Sequence, residues 1–449
     1  MDVIIAGAGT AGQIAALTIS RVRPDINVTV VASSDIGTIS AGEGSTYLFT
    51  RFLSGEWFDT GIDINDFYKQ TNATYKVGIK HVGWAGDDEA YFAPLGGSST
   101  HGSIPDTEFL EALAYTDKRF HVASVGGRAY ERDTISNSHS FHFDSIKIGE
   151  YMSSVAEASG VTYVDAIIED VNVSDGRIDS ITIDNGDTMD ADFFVDATGF
   201  NRVLMSSLEN SWVSYREQLP VDSAVSFELS HNGEFEPLTT ATAMSNGWMW
   251  KIPTSERFGC GYVYSSAFTD QRSAIQEIKS VYGDVDVTNT YSFDSGRLEK
   301  PWVSNCLAVG LASSFVEPLE ATSIHTAIVQ TTTFVFNNLR QENNTVEEYS
   351  IDRYNAYMNR MYDDIRDFLV IHYKGGRDDS EFWEYMNSDS CNTSQVNRIL
   401  SISQHSVPTP YDIDNYIGAP GIMLWKWILA GTGVINRDVA KRELETFYI

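Results

Sequence analysis

Six residues near the start of the chain, Gly7-Ala8-Gly9-Thr10-Ala11-Gly12, constrain its fold more than any other stretch. They follow an apolar run at 3–6 and precede residues 13–19, whose apolar side chains recur at helical spacing. A second apolar run comes at 28–31. The pattern predicts a strand, a glycine turn, a helix and a second, parallel strand. In that setting the first glycine permits the tight turn, the second lets a pyrophosphate approach the backbone, and the third lets the helix pack on the strand. Helix N–H groups then hold the phosphate. Gly7, Gly9, Thr10, Ala11 and Gly12 are therefore candidate dinucleotide-binding residues. One departure stands out. The acidic residue expected about 20 positions after the third glycine, where it meets the ribose, is replaced by the neutral run Ala32-Ser33-Ser34, and the first carboxylate is Asp35.

At roughly 150 residues per domain, a chain of 449 residues has room for two or three folding units and a buried cofactor. Hydrophobic residues make up 42% and charged residues 21%, too apolar a balance for disorder. The 31 Lys and Arg against 62 Asp and Glu leave a net charge of −31, which repels phosphate backbones and anionic lipid. Neither a nucleic-acid nor a membrane partner is expected. The cysteines, Cys260, Cys306 and Cys391, are widely spaced, which argues against a disulfide framework or a structural zinc site and for a reducing cytoplasm. No metal is expected. The N-terminus runs straight into the nucleotide pattern with no signal-like segment, and no apolar stretch reaches the ~18 residues of a membrane span.

Further along, strands are predicted at 75–84, 90–93, 161–164, 166–173, 177–183 and 191–196. Helices are predicted at 107–120 and at 144–158, the latter with Asp144 as N-cap and Gly160 beyond its end. Asp175-Gly176 reads as a hairpin turn. The strand ending in Asp196-Ala197-Thr198-Gly199 has the form that closes the nucleotide domain of a flavoprotein. Residues 307–310 read as its last strand, before a helix near 320–340. The fold class is α/β, with an FAD-binding Rossmann-like domain of the GR2 flavoprotein type, a β-rich substrate-side domain and a helical C-terminal region. The expected division is an FAD-binding region over 1–204, the β-rich region over 205–300, a return to the FAD domain over 301–345 and the helical region over 346–449. Only one dinucleotide fingerprint is present, and no paired cysteines accompany it, so electrons for a bound flavin come from elsewhere.

Three more segments share one resemblance with the glycine turn. Trp248-Met249-Trp250-Lys251-Ile252-Pro253 fits W-x-W-x-I-P, a signature that resembles the flavin-dependent halogenases of the tryptophan-halogenase type. Residues 75–84, Tyr75-Lys76-Val77-Gly78-Ile79-Lys80-His81-Val82-Gly83-Trp84, look like the stretch that carries this family's essential lysine, with Lys80 in its place. Ser314-Phe315-Val316-Glu317-Pro318-Leu319-Glu320-Ala321-Thr322-Ser323 is similar to the family's F-V-x-P-L-E-S-T-G segment, with Glu320 on the catalytic glutamate. Weaker echoes are Gly42-Glu43, His142-Phe143-Asp144, residues 196–200, and Arg366-Asp367-Phe368 with His372-Tyr373. Ala321 stands where the family usually has serine and Ser323 where it has glycine, and the chain is shorter than typical members at its C-terminal end.

The resemblance implies an FADH2-dependent halogenase. Halide ion and an aromatic carbon are both electron-rich, so an oxidant must first make the halogen electrophilic. Reduced FAD, supplied by a separate flavin reductase, does this with O2 and chloride, bromide or iodide, giving hypohalous acid. Lys80 then hydrogen-bonds that acid or forms a haloamine with it, and Glu320 polarises it or takes the ring proton. Backbone N–H groups of Thr322 and Ser323 are the halide-binding candidates, and Gly310 joins the cofactor-binding set. Trp248 and Trp250 either build core or screen substrate from flavin. His81 and His142 read as structural histidines. The implied partner is a small electron-rich molecule, and a homo-oligomer is compatible with all of this. Two alternatives stand beside this reading. A flavin monooxygenase or FAD-dependent reductase of the same fold is opposed by W-x-W-x-I-P together with Lys80, and a non-catalytic flavin-binding protein by the retention of Lys80 and Glu320.

Overall fold

The first apolar run forms strand Asp2–Ala6, and the glycine turn leads into helix Thr10–Val22 and strand Asn27–Ala32. The computed structural model describes residues 1–37, 43–86, 89–95, 107–115, 139–339, 348–413 and 421–448. Gly42 and residues 116–120 of the expected helix lie outside them; the described part of that helix is Thr107–Tyr115. The chain divides into two units, each assembled from three separated segments.

The first unit comprises Met1–Ala73, Phe143–Ser214 and Gly296–Asn359. Its six-stranded sheet runs Trp302–Val303, Cys306–Ala308, Phe193–Asp196, Asp2–Ala6, Asn27–Ala32, Thr162–Asp165, parallel throughout except at the first pair. A parallel sheet is covered on both faces, so its strands are continuous apolar runs; Val3, Ile4, Ile5 and Ala6 are all buried. Helix Thr10–Val22 packs against helices Ser145–Ala158 and Thr322–Asn337. Asp144 caps the former as expected, accepting from the N–H groups of Ile146 and Lys147, and Gly160 at φ +91° follows its end. The hairpin of Ile168–Ser174 with Arg177–Ile183 turns at Asp175 and Gly176, both at positive φ, as a twisted two-residue turn requires. Its Ile181 joins Ile4, Val31, Phe194 and Leu204 in one core.

The second unit comprises Thr74–His142, Tyr215–Ser295 and Arg360–Ile449. Its seven-stranded sheet runs Val287–Ser292, Ser223–Leu229, Phe258–Tyr264, Gly247–Pro253, Leu238–Met244, Gly78–Val82, Ala90–Pro94. All pairs are antiparallel except Leu238–Met244 with Gly78–Val82. Period-two alternation sorts its two faces. Met249 joins Val225, Phe227, Cys260 and Tyr262, packed with Ala274 and Ile278 of helix Gln271–Tyr282. Trp248 and Trp250 point the other way, into a layer with Trp84, which packs on Tyr373 and Trp383 from the helical tail.

Two boundaries differ from expectation. Residues 74–142, expected in the FAD-binding region, belong to the second unit because parallel pairing with Leu238–Met244 draws Gly78–Val82 into its sheet. The predicted strand 75–84 is interrupted at Val77, whose N–H goes to Pro237 O and whose carbonyl accepts from Leu95, leaving the short strand Thr74–Lys76 ahead of Gly78–Val82. Among the described residues no helix is long and apolar enough to cross a membrane.

Candidate active site

The nucleotide turn has the geometry its residues predict. Gly7 sits at φ +102°, and a Cβ there would lie 2.4 Å from Ala197 O; at Gly12 it would lie 2.1 Å from Gly7 O. Gly9 instead faces open space, with nothing within 4 Å of a Cβ. Gly9 is the N-cap of helix Thr10–Val22 with no side-chain cap bond, and the first turn has no acidic residue. The leading N–H groups and the positive end of the helix dipole are thus presented beside a Cβ-free approach, which fits the pyrophosphate of FAD. Behind the turn, the Asp196 carboxylate accepts from Thr198 N and Oγ1, Leu204 N and Met205 N, fixing the loop that contacts Gly7. Gly310, at φ +60°, comes so close to the helix that a Cβ would stand 2.5 Å from Ala11 Cβ, and its N–H donates to Gln330 Oε1 at 2.8 Å. These residues fit the cofactor: Gly9, Thr10 and Ala11 would hold its phosphates, with Gly7, Gly12 and Gly310 allowing the close approaches around them.

In the same unit, residues 317–321 form a strained turn. Glu317 at φ +63° and Ala321 at φ +53° are both left-handed without being glycine, a cost of about 1–2 kcal/mol each. Ala321 N–H closes back onto Pro318 O at 3.1 Å. Glu320 is buried, and Ala321 is the N-cap of the 16-residue helix Thr322–Asn337 with no side-chain cap bond. An N-cap is ordinarily extended and bonded through its side chain. Here a left-handed alanine leaves that task to other groups, and Thr322 and Ser323 supply the first backbone N–H groups of a helix whose dipole favours an anion.

The two lysines of residues 75–84 are placed differently, in the second unit. Lys80, expected to be the reactive amine, has a side chain 30% exposed, and its Nζ donates to the Glu236 carboxylate at 2.9 Å. It lies on the outer face of its strand, since Ile79 and His81 take the inner one. Lys76, passed over in the sequence, is fully buried, whereas Tyr75 beside it is exposed. That inverts the usual apolar-in, polar-out rule.

Two buried histidines accompany Lys76. Burial pushes the His81 ring well below the usual imidazole range, helped by His372 and by the Lys76 charge; burial and the Lys76 charge do the same for His142. His81 stacks on Tyr91 at 4.6 Å between ring centres. His142 belongs to a directed chain of hydrogen bonds. Thr74 Oγ1 donates to Pro253 O at 2.6 Å, so it accepts from His142 Nδ1 at 3.4 Å, and His142 Nε2 then accepts from Thr239 Oγ1 at 2.9 Å. The ring is neutral and in one tautomer, and Thr74 ties the Lys76 strand to the proline of W-x-W-x-I-P. The tryptophans of that motif are core residues. Trp248 and Trp250 are buried, and Gly261 opposite Trp250 leaves room for its ring, whose carbons would meet a Cβ at 2.1 Å.

Residues 2–444 match the tryptophan halogenase family. Over 427 residues the chain is 31% identical to tryptophan 7-halogenase KtzQ of Kutzneria sp. (strain 744), covering 85% of this chain and 78% of that one. It is 30% identical to tryptophan 7-halogenase RebH of Lentzea aerocolonigenes over the same shares of the two chains. The fold matches the crystal structure of tryptophan 6-halogenase SttH from Streptomyces toxytricini with a TM-score of 0.88 at 26% identity, over 99% of this chain and 95% of that one. A flavin-dependent halogenase from Xanthomonas campestris matches at 0.87 and 26% identity, over 99% and 93%. A family match along nearly the whole chain, a dinucleotide turn built for FAD and a fold shared with solved flavin-dependent halogenases lead to one conclusion: the chain belongs to the tryptophan halogenase family, enzymes that halogenate with FAD, O2 and halide.

Proposed function

We propose that this halogenase acts on a small electron-rich aromatic substrate, of the indole or phenol class, with Lys76 rather than Lys80 as its amine and Glu320 as its carboxylate. The observation that carries the assignment is the burial of Lys76. Lys76 is withdrawn from water beside the His81 and His142 rings, the setting in which the proton affinity of a reactive amine is tuned, whereas Lys80 is partly exposed and paired to Glu236 at the surface. The relatives named above carry tryptophan in their names, which supports an aromatic substrate for this chain.

Bound reduced FAD, delivered by a separate flavin reductase, supplies with O2 the oxidising power that converts halide to hypohalous acid. Lys76 donates a hydrogen bond to the oxygen of that acid. As the carbon–halogen bond forms, the halogen–oxygen bond breaks and the departing hydroxide takes a proton from Lys76 to leave as water. Glu320 accepts the proton lost from the ring carbon and releases it through solvent to restore Lys76, so that the sum is arene plus hypohalous acid giving haloarene plus water. The Thr322 and Ser323 N–H groups hold the halide before its oxidation. The test combines the purified protein with FAD, a flavin reductase, NADH, O2, each halide and a panel of indoles and phenols, and reads the halogen mass shift. Flavin oxidation with no halogenated product from any arene would overturn the proposal.

A further inference from the structure

We propose that Asp165 is the carboxylate that binds the adenosine ribose of FAD, in place of the acid missing at Ala32. This rests on the nucleotide site described above. In an open α/β sheet the ligand lies outside the carboxyl ends of the strands, and an acid ending the second strand meets the ribose hydroxyls. Here that strand, Asn27–Ala32, ends in a residue with no side-chain acceptor. The next strand of the sheet, Thr162–Asp165, runs parallel to it, and its last residue, Asp165, is the Cα partner of Ala32. The carboxylate reaches across the pair to the segment that leaves the second strand. One oxygen accepts from Ser34 N–H and the other from Ser34 Oγ, both at 2.8 Å. A carboxylate therefore stands at the carboxyl end of the second strand although that strand lacks one.

Its chemistry suits a sugar diol. The two Ser34 donors hold Asp165 below the ordinary carboxylate range, so it is ionised at neutral pH. Each oxygen keeps a second lone-pair site, and a vicinal diol offers two O–H donors for that pair of sites. Asp165 is exposed and so open to a ligand. Asp35, the first acid in the sequence after the strand, lies further along the exit segment, where its N–H bonds Ser33 Oγ.

The test titrates FAD into the purified full-length apoprotein by fluorescence or calorimetry, with thermal melting as a control on folding. Asp165→Asn is expected to weaken FAD about tenfold, the loss of one charge-assisted hydrogen bond. Wild type should favour ADP over 2′,3′-dideoxy-ADP as a competitor, and Asp165→Asn should bind the two alike. Adding Ala32→Glu to Asp165→Asn should recover most of the affinity. Ser34→Ala, which keeps the carboxylate, should stay within about threefold of wild type. Unchanged FAD affinity in Asp165→Asn, an equal loss in Ser34→Ala, or a loss in Asp35→Asn instead would each overturn the assignment. A wild-type protein that binds no FAD would refute the flavin site itself, a result distinct from any of these.

Discussion

Lys80 Nζ and the Glu236 carboxylate form an ion pair at 2.9 Å in which both side chains remain open to solvent. Exposed pairs of this kind contribute about 0.2–1 kcal/mol. Lys80→Ala should therefore keep halogenation within about twofold of wild type and change stability by no more than that pair. Lys76→Ala should lower halogenated product by at least about 100-fold, the scale of a lost proton donor, while FADH2 oxidation and peroxide release continue. Product mass and O2 uptake measured together separate the two variants. Loss of product in Lys80→Ala with activity retained in Lys76→Ala would reverse the assignment.

The glycines of the nucleotide turn should divide by what a methyl group meets. At Gly12 it meets the Gly7 carbonyl of the same turn, and overpacking of this kind costs about 1–3 kcal/mol, so Gly12→Ala should melt lower. Gly9, at φ −68° and ψ 175°, already has a backbone that alanine adopts, and it has no neighbour to strike. Gly9→Ala should melt with wild type to within about 0.5 kcal/mol yet bind FAD more weakly, because the methyl occupies the phosphate approach. Melting and FAD titration on both variants check the contrast.

His142 makes stability depend on pH in a defined direction. Its folded pKa lies below the value of 6.5 it has when unperturbed, so below that pH the unfolded chain takes up a proton that the folded ring refuses. The stabilisation is complete above about pH 6.5 and falls by up to about 1.4 kcal/mol per pH unit below it. His142→Asn removes that dependence. The stability gap between wild type and His142→Asn, from denaturant melts at pH 7.5 and 5.5, should narrow toward the lower pH; a constant gap would mean that the ring is not held neutral.

Trp250 and Gly261 should show coupled energetics. Gly261→Ala drives a methyl into the far edge of the Trp250 indole and should destabilise by about 1–3 kcal/mol. Trp250→Phe removes those ring carbons, so Gly261→Ala should cost less in that background. A double-mutant cycle with zero coupling would contradict the packing.

Halide preference tests the turn before helix Thr322–Asn337. Ala321 and Ser323 depart from the serine and glycine usual in the family, and bromide and iodide are oxidised more readily than chloride. With all halides at equal concentration, brominated and iodinated products should exceed chlorinated ones. Dominant chlorination would reject the link between this turn and halide choice.

The nucleotide turn, the Asp144 cap and the Asp175-Gly176 hairpin were legible because each signal lies within a few residues of its consequence. The lysine was not. Which of Lys76 and Lys80 faces inward depends on the interruption at Val77, and on pairing with Leu238–Met244 and Ser140–Phe143, partners far away in the chain. Local pattern even misleads there, since exposed Tyr75 and buried Lys76 invert the apolar rule, a conflict typical of functional positions. The helix after Glu320 was legible, expected near 320–340 and found at Thr322–Asn337. The left-handed Ala321 was not, because alanine has no preference for that conformation.

The threading of the chain through two units bears on how the protein is made. Because each unit gathers early, middle and late segments, the nucleotide-binding unit lacks its strand Cys306–Ala308 and helix Thr322–Asn337 until most of the message has been read. The nucleotide-binding unit can therefore close only after its third segment, Gly296–Asn359, has emerged, while Arg360–Ile449 of the second unit is still to follow. Until Cys306–Ala308 has emerged the parallel sheet lacks a strand and nascent chains carry unpaired sheet edges, a period of aggregation risk in which chaperones and the repulsion of a −31 net charge act on the same problem.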